Sequence, residues 1–509
     1  MLLICERKLN MKRINLLSLG LLLCLSGCAM APKYNRPAAP VSGTWPSGEA
    51  YSQTQPASGV ADVTQLKWRG FFTDPKLQRI IETALENNRD LKLAVLNVEK
   101  ARGLYGVQRA ELFPALDAQG SFSKERYSSD YVASGASRNT EKYSVNLGIT
   151  AWEVDFFGRI RSLKQKALEE YLSTEEARRG AQITLISEVA LAYLTIASDR
   201  QNLNLARSTL ETQQGAYNLV LRKYKVQLVN EIDLSRAQTQ VDAAYGDVVR
   251  YTQQAAKDRN ALNLLAGAPV PDDLLPFDLE SVRPLMDIFP GLSSEVLFRR
   301  PDIMEAEHQL KGTYADIGAA RAAFFPSISL TTTLGSASKD FSDLFKTGKE
   351  IWTYAPKAVM PIFDARTWSA YRISEANRKI ALAQYEKAIQ TAFKEVADVL
   401  AVQGTVDKQI MGEQSIVDSA RKIYDLSSKR YANGIDSYLS VLDAQRSLYS
   451  AQQGLIFAKL AKLANEVRAY AVLGGGGLED ERSEKLGSRD LVQENVLSSL
   501  NSKAGGSKH

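Results

Sequence analysis

Two very long stretches without proline constrain this chain more than any other feature. One runs from Arg159 to Val226 and the other from Thr367 to Ala432, and apolar residues recur at helical spacing through both. As a single α-helix, the first stretch would be roughly 100 Å long at about 1.5 Å per residue. Most helices of globular proteins have only three or four turns. We therefore expect these helices to line a long structure, not a compact core.

Each long stretch is followed by a shorter helical pattern that returns along it. The first return helix is predicted over residues 232–265 and the second over residues 437–473. Apolar residues seven apart run through both, as in a coiled-coil seam. They are Leu234, Val241, Val248, Ala255 and Leu262, and then Leu442, Tyr449, Ile456, Leu463 and Tyr470.

The second half of the chain repeats the first. At an offset of 212, Asp90, Ala94, Gly106, Arg109, Ala110, Phe113 and Pro114 match Asp302, Ala306, Gly318, Arg321, Ala322, Phe325 and Pro326. At an offset of 207, Glu188-Val189-Ala190, Tyr217, Tyr224 and Ala237-Gln238 match Glu395-Val396-Ala397, Tyr424, Tyr431 and Ala444-Gln445. Matches that keep their spacing over a whole half indicate a tandem duplication. We assign residues 71–270 to the first repeat, 271–290 to a linker, 291–477 to the second repeat, and 478–509 to a polar tail expected to be disordered.

Each repeat also carries a predicted β-hairpin, at residues 115–155 and 327–362. Between Tyr143 and Ala151, odd positions are apolar and even positions are polar or glycine. About ten residues is the length of a tilted strand that crosses a bilayer with its apolar side outward. A half-buried strand of a soluble sheet alternates in the same way, so this segment alone leaves both interpretations open.

The N-terminus has the pattern of a bacterial lipoprotein signal peptide over residues 1–27. Positive charge at Lys12 and Arg13 precedes an apolar run that is too short to span a bilayer, and small residues lead up to Cys28. We expect translation to start at Met11 and Cys28 to become the acylated first residue, whose covalent lipid is the only non-protein group expected. Residues 28–70, rich in proline, are predicted to be an extended, poorly structured tether.

Composition argues against several classes of function. All 3 cysteines lie within the first 28 residues, only 2 histidines are present, and no metal-binding or phosphate-binding motif occurs. The net charge is +5 without a basic tract, which argues against nucleic-acid binding. We therefore expect no enzyme, no metal and no cofactor. After the leader no unbroken apolar run of 18 residues exists, so a membrane-spanning helix is not expected.

Four strands do not close a membrane barrel, because the smallest natural barrels have about eight. Open sheet edges are not tolerated in lipid. If the hairpins cross a membrane, several copies must pool their strands. Long helices attached to those strands would then form the wall of a tube across the periplasm. A coiled-coil lipoprotein that tethers two envelope layers is the alternative of a different class, but it leaves the two hairpins unexplained.

Several segments make the interpretation more specific. They are Trp152-Glu153-Val154-Asp155-Phe156-Phe157-Gly158-Arg159, Arg300-Pro301-Asp302-Ile303, Ala322-Ala323-Phe324-Phe325-Pro326-Ser327-Ile328, Leu442-Asp443-Ala444-Gln445-Arg446-Ser447 and Leu473-Gly474-Gly475-Gly476. With these segments, residues 28–477 resemble the outer membrane factor family (TolC-like), and most of all its lipidated OprM/NodT-type branch.

The resemblance implies a mixed α/β membrane protein. Each protomer of a homotrimer would give four strands to a 12-stranded outer-membrane β-barrel and long coiled-coil-like helices to a periplasmic α-barrel. It also implies a location in the Gram-negative outer membrane, a periplasmic adaptor (membrane fusion protein) and an inner-membrane transporter of the resistance-nodulation-division (RND) type. The implied function is a passive exit duct for drugs and other small molecules. A type I secretion duct for proteins is the runner-up.

The resemblance also locates a gate at the periplasmic tip, where the second long helix turns into the last helix. It implies that Leu439 and Asp443 ring the constriction and that Arg430 helps to lock it. Gly434 would form the turn at this tip. The equivalent residue at the first tip is Gln227, where relatives usually have glycine. Because glutamine resists the left-handed backbone that glycine allows, we expect the first tip to turn differently.

Overall fold

The computed structural model describes residues 30–51, 67–135, 137–282 and 294–475. The predicted signal peptide 1–27, Cys28 and the tail 478–509 lie outside the described residues. The described chain divides into two units. The first contains residues 30–40, 93–179 and 301–389, and the second contains residues 41–92, 180–300 and 390–475, in each case apart from the gaps given above.

Among the described residues, five α-helices and two strands lie in the first repeat or immediately before it. They are α1 (Trp68–Phe71), α2 (Pro75–Asn87), α3 (Arg89–Ala110), β1 (Asp117–Arg126), β2 (Asn139–Val154), α4 (Arg159–Lys225) and α5 (Glu231–Ala266). The long helix α4 has 67 residues, against 159–226 predicted from the sequence. Helix α5 likewise lies within one residue of the predicted return helix at each end.

The second repeat has the same order of long elements. They are α6 (Pro301–Ala322), β3 (Ser327–Ser338), β4 (Glu350–Val359), α7 (Ala365–Gln403), α8 (Val406–Ala432) and α9 (Tyr438–Val472). The prediction of one continuous helix over 367–432 is wrong, since the structure breaks it at Gly404 and Thr405. Strand β4 also ends earlier than the predicted 362, at Val359, which pairs with Ser327, the first residue of β3.

The N-terminal segment lies against the chain at the break between α7 and α8. A Cβ atom added at Gly404 would lie 2.1 Å from the backbone oxygen of Ala50. The N-terminal segment therefore passes so close to the helix that only glycine fits there. Contacts of this kind join residues about 350 positions apart, and helical periodicity carries no signal of them.

The N-terminal segment is extended, as predicted, but the expectation that it is poorly structured is wrong for residues 30–51. In the first unit, Arg36 donates to Glu307 through Nη2 at 2.6 Å and through Nε at 3.2 Å, and the Tyr34 hydroxyl donates to the same carboxylate at 3.0 Å. In the second unit, Trp45 stacks on Phe393 with ring centroids 5.1 Å apart. Such contacts compensate the entropy lost when an extended segment is ordered.

In the second unit, α2 begins at a well-capped N-terminus. Asp74 is the N-cap and accepts the backbone N–H groups of Lys76 and Leu77 at 2.8 and 3.3 Å, and Pro75 is the first helical residue. The helix buries Leu77, Ile80, Ile81 and Ala84 along one face. Its end meets the end of α5, where Gly267 has a φ of +67° and a Cβ atom would collide with the Asn87 carbonyl.

Among the described residues, one helix, α4, contains a window that is long and apolar enough to cross a membrane by length and composition alone. Half of that window is buried inside the protein. The core helix of a soluble protein passes the same test, so the window is weak evidence for a membrane span. The buried residues of this region are those of a core, including Leu185, Val189 and Tyr193.

The close approach at Gly404 gives a prediction. Gly404→Ala should displace the Ala50 backbone and cost about 1–3 kcal/mol, as overpacking usually does. We expect a lower melting temperature by circular dichroism and faster proteolysis near residues 41–51. Gly412→Ala is the matched control, because a Cβ atom there meets nothing among the described residues within 4 Å. An equal effect of both substitutions would contradict the steric explanation.

Candidate functional site

The four strands of the first unit form one antiparallel sheet in the order β1-β2-β3-β4. The pairing runs from Asp117↔Gly148 to Arg126↔Asn139 between β1 and β2, and from Ser327↔Val359 to Ser336↔Glu350 between β3 and β4. The central pair, β2 with β3, joins a strand of the first repeat to a strand of the second. The duplicated hairpins therefore build a single surface.

The register gives this sheet two different faces. One face carries Phe122, Tyr143, Val145, Leu147, Ile149, Leu330, Leu334, Trp352 and Tyr354. The other carries Gln119, Ser121, Ser144, Asn146, Gly148, Ser329, Thr331, Thr333 and Thr353. On the apolar face Leu147, Leu334 and Trp352 are all more than half exposed, whereas Ser144 of the polar face is buried and shares a hydrogen bond with Ser121. This inverts the pattern of a soluble sheet and fits a wall between lipid and water.

Aromatic rings lie at both ends of the apolar face. At the hairpin end, Tyr143 lies between Phe122 and Phe341, with ring centroids 4.6 and 5.6 Å away. At the helix end, Phe157 stacks on Phe325 at 4.9 Å. Tyr143 and Val154, the last residue of β2, are 11 residues apart, or roughly 36 Å along the strand at about 3.3 Å per residue. At the tilt of roughly 45° that barrel strands have, this corresponds to roughly 26 Å across the membrane, close to the apolar band of about 25 Å, bounded by aromatic girdles, that membrane barrels present.

The predicted alternation fails at Ala151. Ile149 pairs with Thr332 and Trp152 with Leu330, so two residues of β2 oppose Thr331 alone. Ala151 has a φ of +55°, and its N–H donates to the Thr331 side chain at 3.1 Å. This is a β-bulge, which bends the strand and increases its twist. Because the bulge shifts the alternation by one, Trp152, not Ala151, joins the apolar face.

Both edges of the sheet are open within the described part of the chain. Strand β1 pairs only with β2, and β4 pairs only with β3. All ten residues of β1 are exposed, as are nine of the ten residues of β4. Unpaired strand edges beside an apolar face require further strands to cover them.

The tip turn of the second unit joins α8 to α9. Gly434 has a φ of +71°, the Ile435 N–H donates to the Arg430 carbonyl at 2.9 Å, and the Gly434 N–H donates to the Tyr431 carbonyl at 3.0 Å. These two bonds form a Schellman motif that ends the helix. The structure therefore places Gly434 in a position that favours glycine.

The first tip, between α4 and α5, contradicts the expectation of a different turn. Gln227 has a φ of +61°, and the Leu228 and Gln227 N–H groups donate to the Lys223 and Tyr224 carbonyls at 2.9 Å each. Both bonds repeat those of the second tip at an offset of 207 residues. A non-glycine residue in this conformation costs roughly 1–2 kcal/mol, and Gln227 accepts that cost because two hydrogen bonds fix the turn.

Leu439 and Asp443 lie one helical turn apart on α9, so they share a face of the helix. Both side chains are exposed, whereas Val441, Leu442 and Ala444 between and beside them are buried. Asp443 also lines an open groove of 510 Å³ between α8 and α9, together with Ile416, Ile423, Ser440 and Ser447. An apolar residue and an acid are thus presented side by side to the surroundings.

Arg430 does not pair with Asp443 in this chain. Its guanidinium makes a bidentate ion pair with Asp436, at 2.6 Å from Nε and 3.0 Å from Nη2. The hydrogen bond holds the pKa of Asp436 below its usual range and raises that of Arg430. Sequence analysis missed Asp436, although an acid two residues beyond a predicted turn glycine was a usable signal. The pair closes the turn locally, because its two residues lie on either side of Gly434.

Two tyrosines beside the turn were also missed. Tyr431 and Tyr438 pack with ring centroids 5.3 Å apart, and Lys223 of the first tip lies 4.2 Å above the Tyr431 ring. Burial raises the pKa of Tyr438 to about 12. Neither hydroxyl has a hydrogen-bond partner among the described residues. With Val220 and Leu442 they form one apolar cluster that holds both tips together.

Comparison with known proteins agrees with this geometry. A family model described as "Outer membrane efflux protein" matches residues 80–268 and 292–475. The antibiotic efflux pump outer membrane protein ArpC and the toluene efflux pump outer membrane protein TtgC, both of Pseudomonas putida, are each 46% identical over 457 residues, covering 89% of this chain and 94% of theirs. The open state of the MtrE outer membrane channel of Neisseria gonorrhoeae is 34% identical with a TM-score of 0.78, covering 88% of this chain and 98% of that one.

The two equivalent turns give a reciprocal prediction. Gly434→Gln should weaken the end of α8 by roughly 1–2 kcal/mol, and Gln227→Gly should strengthen the end of α4 by up to the same amount. Amide hydrogen exchange in the last turn of each helix should then change about 5-fold to 30-fold, in opposite directions. Unchanged exchange at both tips would show that backbone strain does not limit these turns.

The Arg430–Asp436 pair predicts a specific pH dependence. Since the folded-state pKa of Asp436 is lowered, the stabilisation is complete above the unfolded value of about 3.9 and is lost as the pH falls through the lowered folded value. Between pH 5 and 8 the turn should not respond to pH. Carbon-13 NMR titration should show the pKa of Asp436 rising in Arg430→Ala and staying unchanged in Lys429→Ala. A pKa that is the same in all three proteins would contradict the pair.

Proposed function

This chain belongs to the outer membrane efflux protein family, and on that premise we propose that it is the exit duct of a tripartite efflux pump. It is an outer-membrane efflux protein of a Gram-negative cell. In our proposal it passively conducts drugs and other small molecules from an RND-type inner-membrane transporter and a periplasmic adaptor to the exterior. Relatives named for antibiotic and toluene efflux support small apolar molecules as its cargo.

The two-faced sheet with open edges is the observation that carries this function. An exposed apolar face suits lipid, and a face of serine, threonine and asparagine suits a water-filled passage. Four strands are too few to close a barrel. We propose a homotrimer, in which three sheets pool 12 strands into one barrel and the long helices continue it as an α-barrel in the periplasm.

We propose that the second tip is the periplasmic gate. In a threefold ring, three copies of Leu439 would narrow the passage, and three copies of Asp443 would favour cations. Exposure of both side chains in the single chain supports a role that needs neighbouring copies. Arg430 would act through Asp436, by fixing the turn on which α9 begins. An adaptor or transporter would open the gate only by binding the open tip more tightly than the closed one.

We also propose that Cys28 carries the covalent lipid that anchors the chain in the outer membrane. The contacts of Met30 and Ala31 support this, because both residues lie within three positions of Cys28. Arg321 reaches the Met30 carbonyl, and a Cβ atom at Gly318 would meet Ala31 at 2.8 Å. A chain fixed this close to its lipid lies beside the membrane surface. Mass spectrometry of the mature N-terminus tests the modification.

Single-channel conductance in a planar bilayer tests the duct and its gate together. The parent protein should give a small, cation-selective conductance, with selectivity read from the reversal potential in a salt gradient. Asp443→Ala should raise the conductance and reduce the selectivity, because it removes three carboxylates from the constriction. Asp425→Ala is the matched control, since it removes an exposed carboxylate from the last turns of α8.

Each outcome is informative. No conductance from any variant, despite verified insertion, would overturn the duct and favour an envelope tether. Equal conductance in the parent and Asp443→Ala would keep the duct and move its constriction away from Asp443. If Asp425→Ala raises the conductance as much as Asp443→Ala does, the effect comes from surface charge in general and not from a constriction at Asp443.

A further inference from the structure

Within the first unit, α4 and α6 pack along a polar seam. His308 Nδ1 lies 2.7 Å from Glu169 Oε2, and Lys166 Nζ donates to Asp316 Oδ1 over 3.0 Å. The closest approach is at Gly312, where a Cβ atom would lie 3.7 Å from the Cβ of Glu169. The contact face of α4 is buried although it is polar: Ser162, Glu169, Ser173 and Glu176 are all buried, and Lys166 is half-buried.

The duplication maps this seam onto two other helices of the same unit. Adding 207 to the α4 residues gives positions on α7, and subtracting 212 from the α6 residues gives positions on α3. The α7 stripe is Ser369, Ile373, Ala376, Ile380 and Ala383. The α3 stripe is Leu93, Leu96, Lys100, Leu104 and Val107, equivalent to Glu305, His308, Gly312, Asp316 and Ala319 of α6.

Both stripes are exposed, and apart from Lys100 and Ser369 both are apolar. Leu93, Leu96, Leu104 and Val107 are between 48% and 66% exposed, and Ile373 and Ile380 are 60% and 56% exposed. The buried seam between α4 and α6 is thus polar, whereas the exposed stripes of α3 and α7 are mainly apolar. Contact with water would favour the opposite distribution. Exposed apolar rows at helical contact spacing mark an interaction surface.

Gly106 of α3 also indicates that the α3 stripe is an interaction surface. At Gly318 of α6, a Cβ atom would meet Ser162 Oγ at 2.8 Å. Both residues of this contact recur at the equivalent positions, as Gly106 of α3 and Ser369 of α7. Yet a Cβ atom at Gly106 meets nothing among the described residues within 4 Å. A glycine in a helix interior costs up to about 1 kcal/mol relative to alanine, and no contact in the described chain compensates that cost.

Side-chain sizes at the point of closest approach also fit a contact between the α3 and α7 stripes. In the covered seam, Gly312 is the small residue and Glu169 the large one. Their equivalents are Lys100 and Ala376, so the large residue has changed sides while one large and one small residue remain. Such a pair keeps the space between two helix axes filled.

We propose that the α3 stripe of one copy packs against the α7 stripe of the next copy, in the register that α6 keeps on α4 within one chain. This inference rests on the proposed homotrimer and specifies its subunit seam. The connectivity agrees, because α3 leads into the open edge strand β1 and α7 follows the open edge strand β4. Each protomer then has one polar helix seam inside it and one apolar helix seam at each subunit boundary.

Disulfide trapping tests the register. A Cβ atom placed at Gly312 would lie 3.7 Å from that of Glu169, which is within the disulfide range, so Lys100→Cys with Ala376→Cys should form a bond between copies. The chain has no cysteine after Cys28 to interfere. Under mild oxidation, non-reducing gels should show covalent dimers and trimers. Lys100→Cys with Ala383→Cys, which is two turns out of register, should stay monomeric on the same gel.

Different results would overturn the subunit seam and the proposed function. A parent that forms trimers and conducts, but whose matched cysteine pair stays monomeric, overturns the seam and leaves the duct intact. Equal cross-linking of the matched and shifted pairs also overturns the register. A parent that neither forms trimers nor conducts overturns the proposed function itself.

Transplanting the intrachain ion pair gives a second, independent test. Leu104→Asp alone should place an unpaired charge in the apolar seam and lower the temperature at which detergent-solubilised trimers dissociate. Adding Ile373→Lys recreates the Lys166–Asp316 pair across the boundary and should restore much of the loss. If Leu104→Asp leaves the dissociation temperature unchanged, or if Ile373→Lys lowers it further, the two positions do not face each other.

Discussion

The constraint on which the structure depends is the one that lipid places on strand edges. A backbone N–H or C=O in a bilayer finds no water, so each strand of a membrane sheet must be paired on both sides. This chain supplies four strands and leaves the outer edges of β1 and β4 unpaired among its described residues. A single copy therefore supplies an open sheet that cannot close into a barrel. Its apolar outer face and polar inner face acquire a function only when several copies join.

Duplication gave the protein two versions of one structural unit, and the two have diverged according to what covers them. Where α6 covers α4 inside the chain, the His308–Glu169 hydrogen bond and the Lys166–Asp316 ion pair fill the contact. Where the equivalent faces of α3 and α7 lie open in the single chain, leucine and isoleucine replace them. Exposed ion pairs contribute little to stability and weaken with salt. An apolar seam between subunits would hold a trimer together at any ionic strength, which suits a protein that faces the outside medium.

The two tips, unlike the helix faces, have kept one backbone geometry although their sequences differ. Gln227 and Gly434 both adopt positive φ, because hydrogen bonds to the preceding helix fix the turn. The second tip adds the Arg430–Asp436 pair, which the first lacks, since the equivalent residues there are Lys223 and Val229. The shared apolar cluster around Tyr431 and Tyr438 joins both turns, so an opening movement at one tip must disturb the packing of the other.

The sequence by itself determined the family, the fold class, the duplication, and the bounds of α4 and α5 to within one residue. Helical and strand periods are local signals, and over long elements they repeat often enough to be unambiguous. Only the tertiary structure decided the break at Gly404, the contacts of Arg36 and Trp45, the bulge at Ala151 and the partner of Arg430. The first two depend on residues that lie hundreds of positions apart in the chain but touch in the fold. The last two depend on how a strand or a turn is held by its neighbours, and no periodic pattern encodes either.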